Sequence, residues 1–253
     1  MPNTYISTVR KLASAQKKAA PGSPAYSILV NRPLGRLLAA GAYLIGMTPN
    51  AVTAVSALFT FTGIALLAIL PPSWIVGVIV WLLLALGYGF DSADGQVARL
   101  RGGGSRAGEW LDHVVDSFKI VTLHLAVLIS AYRFFELSSP AWLLVPIGFA
   151  AVATVLFFAM ILNDQLKAVH VATTGRAVVP NRKASLFRSL LVLPTDYGLL
   201  CLIFVTLGAP LLFFVLYSLI FVATAGYFAL AAPKWFRDMI GLDRTPQEEA
   251  RHS

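Results

Sequence analysis

Between Asp91 and Asp116 the chain reads DSADGQVARLRGGGSRAGEWLDHVVD, and this stretch carries five of the twelve acidic residues of a 253-residue protein. Long apolar runs flank it on both sides. A carboxylate at the centre of a bilayer costs about 2.5–3.5 kcal/mol on insertion scales, so acids borne on membrane helices need compensating partners. On an α-helix Asp91 and Asp94 share a face at i, i+3, and Asp112 and Asp116 share one at i, i+4. Each helix therefore presents a pair of carboxylates. Gly102, Gly103 and Gly104 interrupt the helix between Leu100 and Ala107 and let the chain reverse, which brings both pairs onto facing helices. Four facing carboxylates can hold two divalent cations, and an all-oxygen donor set favours Mg²⁺ or Mn²⁺. A metal pair of this kind stabilises both the entering and the leaving oxygen in phosphoryl transfer.

The residues Asp91, Asp94, Gly95, Ala98, Arg99, Gly108, Asp112 and Asp116 fall on the spacing D-x-x-D-G-x-x-A-R-x8-G-x-x-x-D-x-x-x-D. In this the chain resembles the CDP-alcohol phosphotransferase (CDP-alcohol phosphatidyltransferase) family, with every fixed position matched over about a tenth of its length. The resemblance implies that Asp91, Asp94 and Asp112 are metal ligands, and that Asp116 contacts a metal and takes the proton from the attacking hydroxyl. It implies that Gly95, Ala98 and Gly108 leave room for a cytidine nucleotide, with close helix packing as the other reading of the glycines. Arg99 would help balance the charge of the diphosphate. Asn50 and Thr53, beside Pro49, border the nucleotide in this family, or else serve the helix start. The implied reaction moves a phosphatidyl group from CDP-diacylglycerol to an alcohol with release of CMP, in a homodimer. A soluble CDP-alcohol donor with diacylglycerol as acceptor would use the same signature. The structural alternative for the four acids is an ion-pair network with Arg99, Arg101, Arg106 and Lys119.

The elements that must position these residues are membrane helices. A chain 57% hydrophobic and 13% charged, with mean hydropathy +0.74, reads as integral to a membrane. The expected fold is an all-α integral membrane protein, a six-transmembrane-helix bundle with an N-terminal interfacial amphipathic helix. Taking about 20 apolar residues per span, the spans run from Ala51 to Leu70, Trp74 to Ala98, Gly108 to Tyr132, Ala141 to Leu162, Asp196 to Leu212 and Phe213 to Ala231. The turn at Thr206–Pro210 pulls the last boundary earlier. Residues 1–46 form the N-terminal segment, 47–232 the catalytic bundle and 233–253 a cytoplasmic tail. Residues 1–20 lack the apolar core of a cleaved signal peptide. From Tyr26 to Gly46 the run is short, broken by Pro33 and studded with Arg32 and Arg36, as suits a helix on the membrane surface; a soluble leader is the alternative. Cys201 is the sole cysteine and reads as an inert core thiol.

Orientation follows from the basic residues. With the N-terminus cytoplasmic, one side carries 18 of the 20 Lys and Arg; Arg133 lies on the other side and Lys119 inside a span. The positive-inside rule then places both termini in the cytoplasm, and the setting expected is a bacterial plasma membrane. Both acidic pairs fall near the cytoplasmic ends of their helices, where a lipid diphosphate reaches water while its tails stay in the bilayer. The basic loop with Arg176, Arg182, Lys183 and Arg188 has two readings, ordinary positive-inside charge or a site for a phosphate on the acceptor. Arg182 and Arg188 are the residues favoured for the phosphate, and inositol phosphate or glycerol phosphate is the leading acceptor. Asp196 caps the fifth helix or lines the acceptor pocket. His113 reads as a satisfied interior histidine. No recognition helix or aromatic-basic module supports nucleic-acid binding. A divalent-cation or proton transporter is the rival class, but it favours charges at mid-membrane and repeated halves, neither of which is visible here.

Overall fold

The computed structural model describes residues 4–14, 24–175 and 195–243, and these are helical with no strand among them. The order is α1 (Tyr5–Ser14), α2 (Arg32–Leu44), α3 (Pro49–Ile69), α4 (Trp74–Leu100), α5 (Arg106–Phe134), α6 (Leu144–Thr174), α7 (Tyr197–Ile203) and α8 (Pro210–Leu242). A π-turn, Ser27–Asn31, runs into α2, and 3₁₀ turns precede α6 and follow α7. Pro33 does not break the interfacial segment as expected. It sits in the first turn of α2, just past the π-turn Ser27–Asn31, and the helical path continues through it.

The helix starts are written in the sequence. Thr48 accepts from the Ala51 N–H at 3.2 Å with Pro49 at the first helical position, so Thr48, not Asn50, caps α3. Ser73 caps α4 and Ser105 caps α5 in the same way. Between α4 and α5 the chain turns through Gly102 and Gly103, whose φ values of 98° and 131° admit no ordinary side chain. The Gly103 N–H returns to the Ala98 carbonyl at 2.9 Å and closes the end of α4. This turn reverses the chain between the two acidic helices, both of which pack on α3.

In lipid, apolar burial brings little gain, because acyl chains are as apolar as Leu; close van der Waals packing holds such a bundle together. α4 packs most extensively on α3 and α2, α3 also meets α5, and α6 bridges α5 and α8. One packed cluster around Leu67, Leu84, Val127, Phe149, Phe204 and Tyr217 fills the bundle interior. A second, around Leu12, Ala39, Val52 and Val97, seats α1 and α2. The buried His124 is satisfied by the Tyr217 hydroxyl at 2.7 Å and stacks on Phe149, while Cys201 is buried as expected.

Five described helices, α3 to α6 and α8, are long and apolar enough to cross a membrane. The fifth expected span differs. Instead of a continuous helix from Asp196 to Leu212, the chain forms the seven-residue α7 and then a 3₁₀ turn, Phe204–Gly208. α8 then starts at Pro210, earlier than Phe213, and continues past Ala231 to Leu242. The physical reason is the Gly-Ala-Pro sequence, which ends one helix and starts the next. Short as it is, the α7 segment follows α4 lengthwise: Tyr197 meets the Tyr88 ring at 5.2 Å, and the Phe204 carbonyl lies where a Cβ on Gly77 would stand 2.5 Å away.

That last contact is testable. Gly77→Ala must push a backbone carbonyl aside, and overpacking of this kind costs about 1–3 kcal/mol. A lowered unfolding midpoint in detergent micelles is expected; an unchanged midpoint would show that the 3₁₀ turn is not seated on α4.

Candidate active site

Near the ends of α4 and α5 that the glycine turn joins, Asp91, Asp112 and Asp116 each offer a carboxylate oxygen, all within 4.8 Å of one another. The i, i+4 spacing on α5 and the antiparallel return of the chain produce this cluster. Asp94 lies beside these three and lines the same cavity as Asp112. Asp94 is buried and accepts the Thr53 hydroxyl of α3 at 2.6 Å and the Gly95 N–H. Thr53 contacts the expected acid directly, a contact that ties α3 to α4 across 41 positions of sequence.

Lys119, one turn beyond Asp116, is the residue the sequence reading left in a structural role. Its buried ammonium pairs with Asp116 and lies 3.5 Å from Asp91. It also stands over the Tyr197 ring at 5.1 Å. Of the four basic residues named for an ion-pair network, Lys119 is the one that pairs with these acids among the described residues. Arg99 is exposed, and Arg101 lies over the Tyr43 ring instead. The signal was available: Lys119 follows Asp116 at i+3, and an unpaired lysine inside a span is costly.

All six residues expected at the nucleotide, Asn50, Thr53, Gly95, Ala98, Arg99 and Gly108, line one cavity of about 890 Å³. Asp94 and Asp112 open onto it, and Arg101 and Arg106 stand at its rim. The two glycines differ there. A Cβ on Gly108 would meet Asn50 Oδ1 and Ser105 Oγ at 3.2 Å, so Gly108 permits the close approach of two helix starts. A Cβ on Gly95 would meet only Arg99 Nη1, at 3.7 Å, so Gly95 keeps the cavity open.

A second cavity, of about 300 Å³, opens on the other side of the cluster and is lined by Asp91, Asp116 and Lys119. Asp196 lies in its wall and caps α7, as one of its two sequence readings expects. Its carboxylate accepts the Gly198 N–H at 2.8 Å and the Ser27 N–H at 2.9 Å, and it also bonds the Tyr88 side chain. His113 is half-exposed, 3.9 Å from Glu109 and from Asp112, and is not the interior histidine expected. Arg182 and Arg188 lie outside the described residues, as do Arg176 and Lys183.

A bundle of helices long and apolar enough to cross a membrane thus carries an acidic cluster with two cavities beside it. The CDP-alcohol phosphatidyltransferase family profile matches residues 46–231. The chain belongs to that family and is an enzyme of that type, a multi-pass membrane transferase of phospholipid biosynthesis. No curated protein sequence matches it. Among the solved structures that share its fold are two of one synthase. One is the phosphatidylinositol phosphate synthase of Mycobacterium tuberculosis in complex with manganese and citrate, 21% identical, with a TM-score of 0.51 over 82% of this chain and 91% of that one. The other is the same synthase with CDP-DAG bound, 20% identical, with a TM-score of 0.52 over 85% and 98%.

The donor set fits a divalent cation: three carboxylates converge, every donor is oxygen, and the cluster's negative charge is met in this structure by one lysine. Lys119→Met removes that lysine and leaves buried acids without their partner, a loss of about 3 kcal/mol or more. The variant is expected to unfold at lower temperature in EDTA and to gain more from Mn²⁺ than the unsubstituted protein does. If Mn²⁺ stabilises neither protein, the cluster is not a metal site.

Proposed function

We propose that the protein transfers a phosphatidyl group from CDP-diacylglycerol to the hydroxyl of an alcohol and releases CMP. The observation that carries this reading is the convergence of Asp91, Asp112 and Asp116 where the two cavities meet. The nucleotide belongs in the larger, polar cavity. There Asn50 and Thr53 offer hydrogen-bonding groups, Gly95 and Ala98 leave space, and Arg99 brings a guanidinium towards the diphosphate. CDP-DAG in the fold-related tuberculosis synthase supports the choice of donor.

Asp91, Asp112 and Asp116 would hold the divalent cations, Mg²⁺ or Mn²⁺, with Asp94 completing the set for a second ion. When bound, these cations supply positive charge to the phosphoryl oxygens. The protein's own groups do the rest. Asp116, on the side away from the nucleotide cavity, faces the entering hydroxyl and accepts its proton. Lys119 fixes the Asp116 carboxylate through their ion pair. Thr53 and the Gly95 N–H hold Asp94 in one orientation. The chain crosses the membrane six times, with α7 and its 3₁₀ turn making the short fifth passage. Both termini are cytoplasmic, where most of the basic residues gather, and two copies associate in a bacterial plasma membrane.

The test is CMP release from CDP-diacylglycerol by the purified protein with Mg²⁺ or Mn²⁺. Asp116→Asn is expected to lower kcat by about 10²–10⁴-fold, the range for loss of a general base, with CDP affinity kept. Turnover like that of the unsubstituted protein would take Asp116 out of the base role. Asp112→Ala is expected to raise the metal concentration needed for half-maximal activity; an unchanged requirement counts against the cluster as the metal site.

A further inference from the structure

The larger cavity extends beyond the acidic cluster. With the phosphates of the nucleotide beside Asp94 and Asp112, its nucleoside lies towards the starts of α3 and α5, where Thr48, Asn50, Ser105 and Glu109 line the same space. Two of these are engaged in capping: the Thr48 hydroxyl accepts the Ala51 N–H and the Ser105 hydroxyl the Gly108 N–H. Glu109 brings a carboxylate to that end.

Glu109 stands outside the eight-residue signature, yet it shares a face of α5 with two of its acids, at i, i+3 to Asp112 and i, i+7 to Asp116. The helix carries it one turn beyond Asp112 and about 10 Å along the axis from Asp116, at 1.5 Å per residue. The side chain is held there. Gln165, on α6, donates to Glu109 Oε1 at 3.2 Å, and His113 Nε2 stands 3.9 Å from the same oxygen. Both contacts fall on one oxygen and orient the other.

A carboxylate repels a diphosphate, so its place in this cavity calls for a ligand group that donates a hydrogen bond. Arg99, Arg101 and Arg106 bring the positive charge that suits the phosphates. A nucleoside offers neutral donors: the 4-amino group of cytosine, from which carboxylates accept, and the ribose hydroxyls, which acidic side chains bind in dinucleotide sites. An acid in the first turn also favours the start of α5, but that role needs neither the cavity wall nor the bond from α6.

We infer that Glu109 reads the nucleoside of the nucleotide substrate by accepting a hydrogen bond from a neutral N–H or O–H group on it. The inference rests on the transferase reading above. A cytosine amine and a ribose hydroxyl share this chemistry.

The experiment measures equilibrium binding of CDP, UDP, 2′-deoxy-CDP and 3′-deoxy-CDP to the purified full-length protein in Mn²⁺. The unsubstituted protein is expected to hold CDP more tightly than at least one of the other three by about tenfold or more, as for a hydrogen bond to a charged group. UDP trailing assigns the bond to the cytosine amine, and a deoxy analogue trailing assigns it to a ribose hydroxyl. Glu109→Ala is expected to bring that ratio below threefold while Mn²⁺ affinity stays within twofold. Should that variant fail to fold, Glu109→Gln keeps the shape and gives the same effect in smaller degree. A ratio under tenfold for all three analogues in the unsubstituted protein, or one that both variants leave in place, overturns the inference. A fall in Mn²⁺ affinity with the ratio unmoved overturns it by making Glu109 a metal ligand, and a lowered unfolding midpoint with the ratio unmoved by making it an acid of the helix start alone. Metal-dependent CDP binding separates the two levels of failure. CDP binding that Glu109 does not sharpen sinks this inference alone, and no CDP binding sinks the transferase reading with it.

Discussion

Three carboxylates held at most 4.8 Å apart among membrane helices repel one another, and much of the structure exists to contain that repulsion. At an effective dielectric of about 20, each pair of full charges at that distance costs roughly 3.5 kcal/mol. Lys119 offsets it from within the same helix, and the Tyr197 ring covers the ammonium on another side. A cluster that one lysine balances, and that a divalent cation can balance better, is poised to take up metal rather than to fold around it.

The rest of the architecture fixes where those carboxylates stand. The glycine turn and the Ser105 cap set the register of α5 against α4. Thr53 joins α3 to the same site through Asp94, and Asp196 gathers the N-terminal π-turn, α4 and α7 at the smaller cavity. These are polar contacts made where water is scarce, so each must be satisfied by the protein itself. Packing outside the site combines close backbone approach, as at Gly77, with a core of large side chains around Phe204 and Tyr217.

Much of this was legible in the sequence, for physical reasons that differ from element to element. The acidic residues lie close together along the chain, at helical intervals on either side of a glycine run, so local geometry alone brings Asp91 near Asp112 and Asp116. Thr48, Ser73 and Ser105 announce helix starts by their own hydrogen-bonding chemistry. The Thr53–Asp94 bond was not legible, since it joins positions 41 apart. The Lys119–Asp116 pair was legible from its i, i+3 spacing, whereas the approach of Lys119 to Asp91, 28 positions away, depends on the tertiary fold. The fifth span was misread because apolar composition does not distinguish an α-helix from a short helix continued as a 3₁₀ turn. Arg182 and Arg188 fall outside the described residues, and the basic loop stays an expectation from charge.

The two cavities share the acidic cluster, one bordered by Asp94 and Asp112 and the other by Asp91 and Asp116. In the transferase reading proposed above, separate doorways have a consequence for kinetic order. Both substrates would sit together, so that the phosphoryl group passes directly between them and no side chain has to carry it in a covalent intermediate. Rate plots against one substrate at several levels of the other should then intersect, as for a ternary complex, and the water-soluble product can depart without waiting for the lipid product to move.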